Sequence, residues 1–213
     1  VDDDGEVSGY CTAPEIDYET FASRQTPEKR LIEQVHTRYR ANEEANTVNP
    51  TPLDPGEVES LALPCESFKL AFTPGLLHGI WGEKLSPEEL ATLIKDEGRY
   101  QQLEEGIDAP WWIPSGRQAF VPEQFYLPNR MQDPFGEKYF FEYDDYSLLV
   151  IRTEDPLKNA VTVVNNYRVI QPWQITDPNG NRAQVACDTL GMVVGTAVMG
   201  KEDDSPPQGD SLE

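Results

Sequence analysis

Hydrophobic and polar residues alternate in short runs along the C-terminal half of the chain. In the run 138–143, Tyr139, Phe141 and Tyr143 fall on one side, and Phe140 and Glu142 fall on the other. A period of two residues is the pattern of a β-strand. Similar runs, rich in apolar and β-branched residues, predict further strands at 34–41, 66–72, 146–153, 160–164, 167–171 and 192–199.

The pattern changes from strand to helix in only a few places. For 34–41, a helix beginning at Pro27 is the alternative to a strand. One helix is well signalled near 87–97. Ser86 suits the N-cap, Pro87 suits the first helical position, and Glu89 completes a capping box. Gly98 is the expected stop signal.

Turn signals recur at a fixed spacing between the predicted strands. Asp-Pro tetrads begin at Asp133, Asp155 and Asp177, so each follows the previous one by 22 residues. A weaker turn signal lies eleven residues past each of these aspartates, at Asp144, Asn166 and Asp188. The sequence therefore predicts clear 22-residue repeats over 133–201, each supplying about two strands.

The chemistry of the tetrads favours type I turns that close short hairpins. Aspartate caps the turn with its side chain, proline fixes the second position, and glycine takes the left-handed conformation at the fourth. Lys158 stands where glycine is expected, so Asn159 is a candidate for the left-handed role. The predicted turn residues are Asp133, Pro134, Gly136, Asp155, Pro156, Asp177, Pro178 and Gly180.

Composition narrows the class of protein further. The 213 residues include 18 prolines and 15 glycines, which disfavours a helix bundle and favours many short strands. The net charge of −21 repels phosphate backbones and anionic lipid, so neither nucleic acid nor a membrane surface is an expected partner.

No apolar run reaches the length of a membrane span. A chain that begins with Val1 and no signal peptide is expected to be part of a longer protein.

Few residues are candidates for catalysis, metal binding or disulfide formation. The three cysteines, Cys11, Cys65 and Cys187, form no CxxC pair, and an odd number does not indicate a disulfide framework. The two histidines, His36 and His78, have no second ligand at metal-binding spacing. No nucleophile elbow or phosphate-binding loop is present. We therefore expect no catalytic residue, no metal and no cofactor.

Five blocks of sequence, taken in order, carry a family resemblance. They read PCESFKLAFTPGLL at 64–77, WWIPSGR at 111–117, FYLP leading into DPFG at 125–136, YRVIQPW followed by TDPNGNR at 167–182, and LGMVVGTAVMGK at 190–201. Together they resemble the Rhs (YD-repeat) region of the B component of insecticidal toxin complexes, the Tc toxins, and of related proteins with an SpvB-type N-terminus. The segment Val1 to Val7 is similar to a preceding repeat turn.

The resemblance implies a fold, a role and a set of partners. The expected fold is mainly β, an Rhs antiparallel sheet that forms one segment of a spiralling shell. It occupies 1–201 as a single segment, and an acidic disordered tail follows at 202–213. In the family, the B and C components enclose a toxic cargo, so the expected partners are other Rhs segments, the C component and its cargo. The expected location is secreted or extracellular, within a larger toxin.

Two alternatives to a shell segment stay open. Trp111 and Trp112 could stack on sugars, which favours a carbohydrate- or protein-binding YD-repeat surface module, or they could pack on opposite sides of a strand. The spacing of the aspartates is similar to that of the self-cleaving aspartyl site of C components. Two carboxylates sharing a proton, Asp133 with Asp155 or Asp155 with Asp177, could activate a water. Lys158 breaks that motif, so a non-enzymatic segment is the primary prediction.

Overall fold

The computed structural model describes residues 12–82, 84–106 and 109–212, so the predicted turn at Val1 to Val7 lies outside the described residues. Within these ranges the chain forms thirteen strands, two α-helices and a few single helical turns. The prediction of a mainly β, antiparallel protein with a short helix near 87–97 is confirmed. The chain divides into two compact units, which are described separately below.

The first unit comprises residues up to 39, 52–57 and 64–116. It contains a short parallel pair, β1 and β2, and an antiparallel sheet in the order β3-β4-β5. Its strands are β1 Glu15–Ile16, β2 Lys29–Arg30, β3 Val35–Tyr39, β4 Pro64–Phe72 and β5 Trp111–Pro114, and its helices are α1 Pro74–Trp81 and α2 Pro87–Thr92. The alternative helix from Pro27 through 34–41 is therefore wrong.

Helix α2 begins at the predicted cap. The Ser86 hydroxyl accepts from the Glu89 backbone N–H, and the Glu89 carboxylate accepts from the Ser86 N–H. These bonds lower the pKa of Glu89, the backbone bond from Ser86 contributing most. The helix continues as a π-helical turn over Leu93–Glu97 and ends at Gly98. Sequence reasoning missed helix α1, although the Thr73 hydroxyl caps it by accepting from the Leu76 N–H.

The second unit comprises residues 40–51, 58–63 and 117–213, of which the structure describes all but the last. Its main element is an antiparallel sheet in which eight consecutive strands lie side by side in chain order. The strands are β6 Arg117–Val121, β7 Leu127–Gln132, β8 Lys138–Tyr143, β9 Val150–Glu154, β10 Ala160–Asn166, β11 Gln171–Thr176, β12 Arg182–Cys187 and β13 Val193–Met199.

Two of the predicted strands in this unit need correction. The strand predicted at 167–171 is wrong, because 167–170 forms a turn in which Ile170 is left-handed with φ 54°. The Asn166 side chain starts that turn by accepting from the Arg168 N–H at 3.0 Å. The strand predicted from 146 begins only at Val150, since Ser147 closes a turn with φ 52°.

An apolar row crosses four strands of the eight-stranded sheet. It consists of the cross-strand partners Val163, Ile175, Ala183 and Val198. On the opposite face Arg152 forms an ion pair with Glu142 on the neighbouring strand, at 2.8 Å. Among the described residues of 117–212, burial is limited to Ala119, Phe120, Asp144 and Ala197. The sheet therefore buries very little core of its own.

The residues after β13 fold back along its edge. The Asp210 N–H donates to the Val198 carbonyl and the Gly200 N–H donates to the Gln208 carbonyl, each at 2.8 Å. A disordered tail is predicted from 202 onward, whereas the described part of that tail contributes these backbone hydrogen bonds. No helix in the described ranges is long and apolar enough to cross a membrane.

Candidate functional site

The three Asp-Pro turns lie at the same end of the eight-stranded sheet. They join β7 to β8, β9 to β10 and β11 to β12. In each turn the backbone N–H of the fourth residue donates to the aspartate carbonyl at 3.0 Å, from Gly136 to Asp133, from Lys158 to Asp155 and from Gly180 to Asp177. The 22-residue spacing follows from this arrangement, because two strands and two turns separate each of these aspartates from the next.

Each aspartate side chain organises its own turn. Oδ1 accepts from the backbone N–H groups of the second and fourth residues that follow, at 2.8–2.9 Å in all three turns. In two turns an asparagine amide also donates to Oδ2, from Asn159 to Asp155 at 2.8 Å and from Asn181 to Asp177 at 3.0 Å. Those amide bonds are the main reason that the pKa of Asp155 and the pKa of Asp177 are lowered.

The structure does not bring these carboxylates together. Asp133 and Asp155 are separated by two strand spacings, and so are Asp155 and Asp177. Two spacings correspond to about 9–10 Å, whereas carboxylates that share a proton lie about 3 Å apart. The geometry therefore supports a role in the turns and offers no aspartyl dyad among these three residues.

Lys158 adopts the left-handed conformation itself. Its φ is 69°, close to the 93° of Gly136 and the 87° of Gly180, so the suggestion that Asn159 takes this role is wrong. The Asn159 side chain instead binds Asp155. The Lys158 ammonium forms an ion pair with Glu154 at 2.9 Å and lies 5.2 Å from the centre of the Phe140 ring. These two contacts partly offset the strain of a left-handed lysine.

Replacing Lys158 with glycine tests how much strain the turn holds. We expect Lys158→Gly to stabilise the protein by about 0.5–1 kcal/mol, because relief of left-handed strain exceeds the loss of an exposed ion pair. Asn159→Gly should destabilise it, because the hydrogen bond to Asp155 is lost. Urea denaturation measures both. A Lys158→Gly variant that is less stable than the parent would show that the two lysine contacts outweigh the strain.

The opposite end of the sheet carries turns that were not among the predicted site residues. Asp144, only 7% exposed, accepts at Oδ1 from the Leu148 N–H at 2.8 Å and at Oδ2 from the Tyr167 hydroxyl at 2.7 Å. The Arg168 guanidinium donates to the carbonyls of Asp188 and Thr189 at 2.6 and 2.9 Å. Tyr167 and Arg168 therefore tie the turn at 166 to the turns on either side of it.

The Asp144–Tyr167 pair makes stability depend on pH at both extremes. Hydrogen bonds from Leu148 and then Tyr167 lower the pKa of Asp144 from its usual 3.8. Donation to Asp144 raises the pKa of Tyr167 from 10.0 to about 12. The carboxylate's contribution is therefore present above pH 3.8 and is lost as the pH falls through its lowered value. The phenol's contribution is present below pH 10 and is lost as the pH rises towards 12.

Tyr167→Phe should reveal this coupling. We expect it to lower the urea midpoint at pH 7 by roughly 0.5 M, as for the loss of a charge-assisted hydrogen bond. It should also remove the decline in stability above pH 10 that comes from this pair. Asp145→Asn, at the neighbouring exposed carboxylate, is the control. It should keep the loss of stability at low pH and the loss of stability above pH 10. An unchanged midpoint for Tyr167→Phe at pH 7 would contradict the coupling.

The two adjacent tryptophans are both buried, on opposite sides of β5. Trp111, 9% exposed, packs with Leu77 and Ile94. Trp112, 4% exposed, lies against the His36 ring edge-on, with centroids 4.7 Å apart. Neither indole presents an open face on which a sugar could stack. The geometry therefore supports packing rather than carbohydrate binding.

Arg40 is a buried residue that sequence reasoning missed. It is 0% exposed, its Nη1 donates to the Thr47 carbonyl at 2.7 Å, and its guanidinium lies 5.2 Å from the centre of the Phe120 ring. Phe120 packs with Ala45 and Leu63 in a small apolar cluster. Arginine is usually exposed, and the pattern of neighbouring residues gives no signal that this one is an anchor for its loop.

Among residues 12–82, 84–106 and 109–212, no group of three or more His, Cys, Asp or Glu side chains could hold a metal ion. Cys65 is a buried free thiol and Cys187 a partly buried one, while Cys11 lies outside the described residues.

Comparison with known proteins identifies the fold. No family model matches the chain, and no curated protein matches it. The TcdB2-TccC3-Cdc42 crystal structure matches 89% of this chain with a TM-score of 0.67 and 22% identity. The TcdB2-TccC3 crystal structure matches 84%, with a TM-score of 0.66 and 23% identity. The Tc holotoxin pore of Photorhabdus luminescens matches 91%, with a TM-score of 0.66 and 21% identity.

The matches cover only a small part of those solved chains. The chain spans 9% of the first, 8% of the second and 9% of the third. At 21–23% identity the likeness concerns the fold. The chain therefore has the β fold of a segment of the Tc toxin structures, in agreement with the architecture that the five sequence blocks imply.

Proposed function

We propose that this chain is a non-enzymatic wall segment of an Rhs-type toxin shell that encloses a toxic cargo. The observation that carries the proposal is the eight-stranded antiparallel sheet, which has the fold of a segment of the Tc toxin structures. Its partners are then other Rhs segments of the same shell, the C component and the cargo. The segment acts in a secreted or extracellular toxin, without touching membrane or nucleic acid.

The surface of the sheet supports a role inside a larger assembly. Many of its apolar side chains are exposed, to 41% for Ile175, 66% for Val194 and 68% for Val198. A free-standing globular domain rarely leaves a contiguous set of such side chains in water. A sheet that continues into neighbouring strands, and that faces an enclosed compartment, has no need of a core of its own.

The turns at the two ends of the sheet support the same role. Tyr167 and Arg168 link successive turns at one end of the sheet, and the aspartates fix the turns at the other end. A shell wall needs strands whose register and curvature are held without a second packed layer. Side chains that bind one turn to the next meet that need.

A protection assay tests the proposal. The longer B component carrying this segment would be assembled with a C component, and the cargo exposed to proteinase K. We expect the cargo in the complex to persist at least about tenfold longer than free cargo. Tenfold protection corresponds to a free energy of about 1.4 kcal/mol for opening the shell, because the protease reaches the cargo only in the open form. Cargo that is digested equally fast in both samples would contradict encapsulation.

The absence of self-cleavage is a separate part of the proposal. The purified chain should show one intact mass after prolonged incubation, and Asp155→Asn should leave that mass spectrum unchanged apart from the substitution. A truncated product that disappears in Asp155→Asn would instead establish an aspartyl protease.

A further inference from the structure

The first unit contains an apolar cavity that the proposed shell role does not use. It has a volume of about 320 Å³ and lies among the end of β4, α1 and the α2 segment. Phe72, Trp81 and Tyr100 supply aromatic surface, and Leu90 and Leu93 supply aliphatic surface. This volume is near the lower limit of ligand pockets in proteins, and it suits an aromatic or branched aliphatic side chain.

The aromatic rings of the cavity hold one another in place. The Phe72 ring contacts Trp81 edge-on at a centroid distance of 5.9 Å and Tyr100 at 5.2 Å. Ile94, 6% exposed, and Leu77, 7% exposed, anchor the same cluster from within the unit. The cavity therefore has an apolar lining whose aromatic rings contact one another.

Two unusual backbone features position the cavity's rim. Helix α2 continues into the π-helical turn Leu93–Glu97, which ends where the Gly98 N–H donates to the Leu93 carbonyl at 2.9 Å. Arg99 follows in the left-handed conformation with φ 59°. A Cβ at Gly98 would lie 2.7 Å from the Tyr100 ring, so glycine is needed for that ring to fold over the cavity. Single π turns are found frequently at functional sites.

The rim carries negative charge. Glu97 lines the cavity, is exposed, and has no ion-pair partner among the residues that the structure describes. Glu88 and Asp96 are exposed on the same helical segment, whereas Lys95 and Arg99 do not line the cavity. The whole chain has a net charge of −21, which attracts cationic partners over a longer range.

We propose that this cavity docks a basic polypeptide segment, which inserts one aromatic or branched aliphatic side chain and places a flanking lysine or arginine beside Glu97. The cavity is open to solvent along its rim. A small ligand would therefore stay largely exposed there, whereas a polypeptide covers the rim with its own backbone. This binding site goes beyond the shell role, because the cavity lies in the first unit and the shell proposal is argued from the eight-stranded sheet of the second.

Peptide titration tests the site. The probe is Arg-Gly-Phe-Gly-Arg, acetylated and amidated, and the controls are Glu-Gly-Phe-Gly-Glu and Arg-Gly-Ser-Gly-Arg. We expect the probe to bind at least about tenfold more tightly than either control, with NMR shifts at the cavity residues. Glu97→Gln should weaken probe binding about three- to tenfold, and Glu88→Gln, on the same helix but outside the cavity, should change it less than about twofold.

Three results would overturn the proposal. Equal binding of the three peptides, or no binding, would show that the cavity does not select an apolar side chain beside a positive charge. Equal effects of Glu97→Gln and Glu88→Gln would show that the peptide responds to the net charge of the chain and not to Glu97 in particular. Binding of 4-phenylbutylamine as tight as that of the probe peptide would establish a small-molecule site instead.

Discussion

Trp111→Ala should destabilise the first unit by about 3–5 kcal/mol, the usual cost of removing a large buried aromatic side chain. The indole is 9% exposed and packs with Leu77 and Ile94, so its removal leaves a cavity between β5 and the helices. Since whole proteins are stable by only about 5–15 kcal/mol, the variant should unfold at a much lower urea concentration. Far-UV circular dichroism measures the transition without relying on tryptophan fluorescence.

Trp173→Ala is the matched control for this substitution. Trp173 lies in β11 and is 38% exposed, so its truncation should cost less than about 1.5 kcal/mol. A Trp111→Ala variant as stable as Trp173→Ala would contradict the assignment of Trp111 to the core. It would also reopen the interpretation of this tryptophan pair as an exposed binding surface.

Arg40→Ala should destabilise the second unit by about 3 kcal/mol. The substitution removes the charged donor to the Thr47 carbonyl and the cation–π contact with Phe120. A hydrogen bond from a charged group contributes about 1.5–3 kcal/mol, and a desolvated cation–π contact contributes up to about 2 kcal/mol. The loop at 42–51 should then exchange its amide hydrogens faster, which hydrogen exchange measured by mass spectrometry would detect.

Arg24→Ala is the control for Arg40→Ala. Arg24 is exposed and, among the described residues, has no hydrogen bond or ion pair, so its substitution should change stability by less than about 0.5 kcal/mol. Arg40→Lys should recover only part of the stability, because an ammonium cannot lie flat against the Phe120 ring as a guanidinium does. Equal stability of Arg40→Ala and Arg24→Ala would contradict the role of Arg40.

The elements that could be predicted from the sequence are those governed by local chemistry. The helix after Ser86 forms where its capping box predicts it, because its cap bonds join residues three positions apart. The strand Lys138–Tyr143 has its predicted bounds, since alternation alone defines it. The Asp-Pro tetrads likewise form turns through bonds that span at most four residues.

The elements that were predicted wrongly depend on a competing local bond or on distant residues. The run at 167–171 looks like a strand, but the Asn166 side chain captures the Arg168 N–H and bends the chain. The importance of Tyr167 depends on Asp144, 23 residues earlier. Arg40 is buried against Phe120, 80 positions away. A contact between residues so far apart cannot be predicted from the periodicity of the sequence. For the same reason the apolar cavity of the first unit had no sequence signal.

The wall-segment role is best tested by an electron cryomicroscopy structure of the longer toxin component proposed to contain this chain, in complex with its C component. We predict that 117–199 forms part of a continuous wall, with the apolar row through Val163, Ile175 and Val198 covered or facing the enclosed cargo. An eight-stranded sheet that lies outside any closed shell, with this apolar row in bulk solvent, would contradict that role.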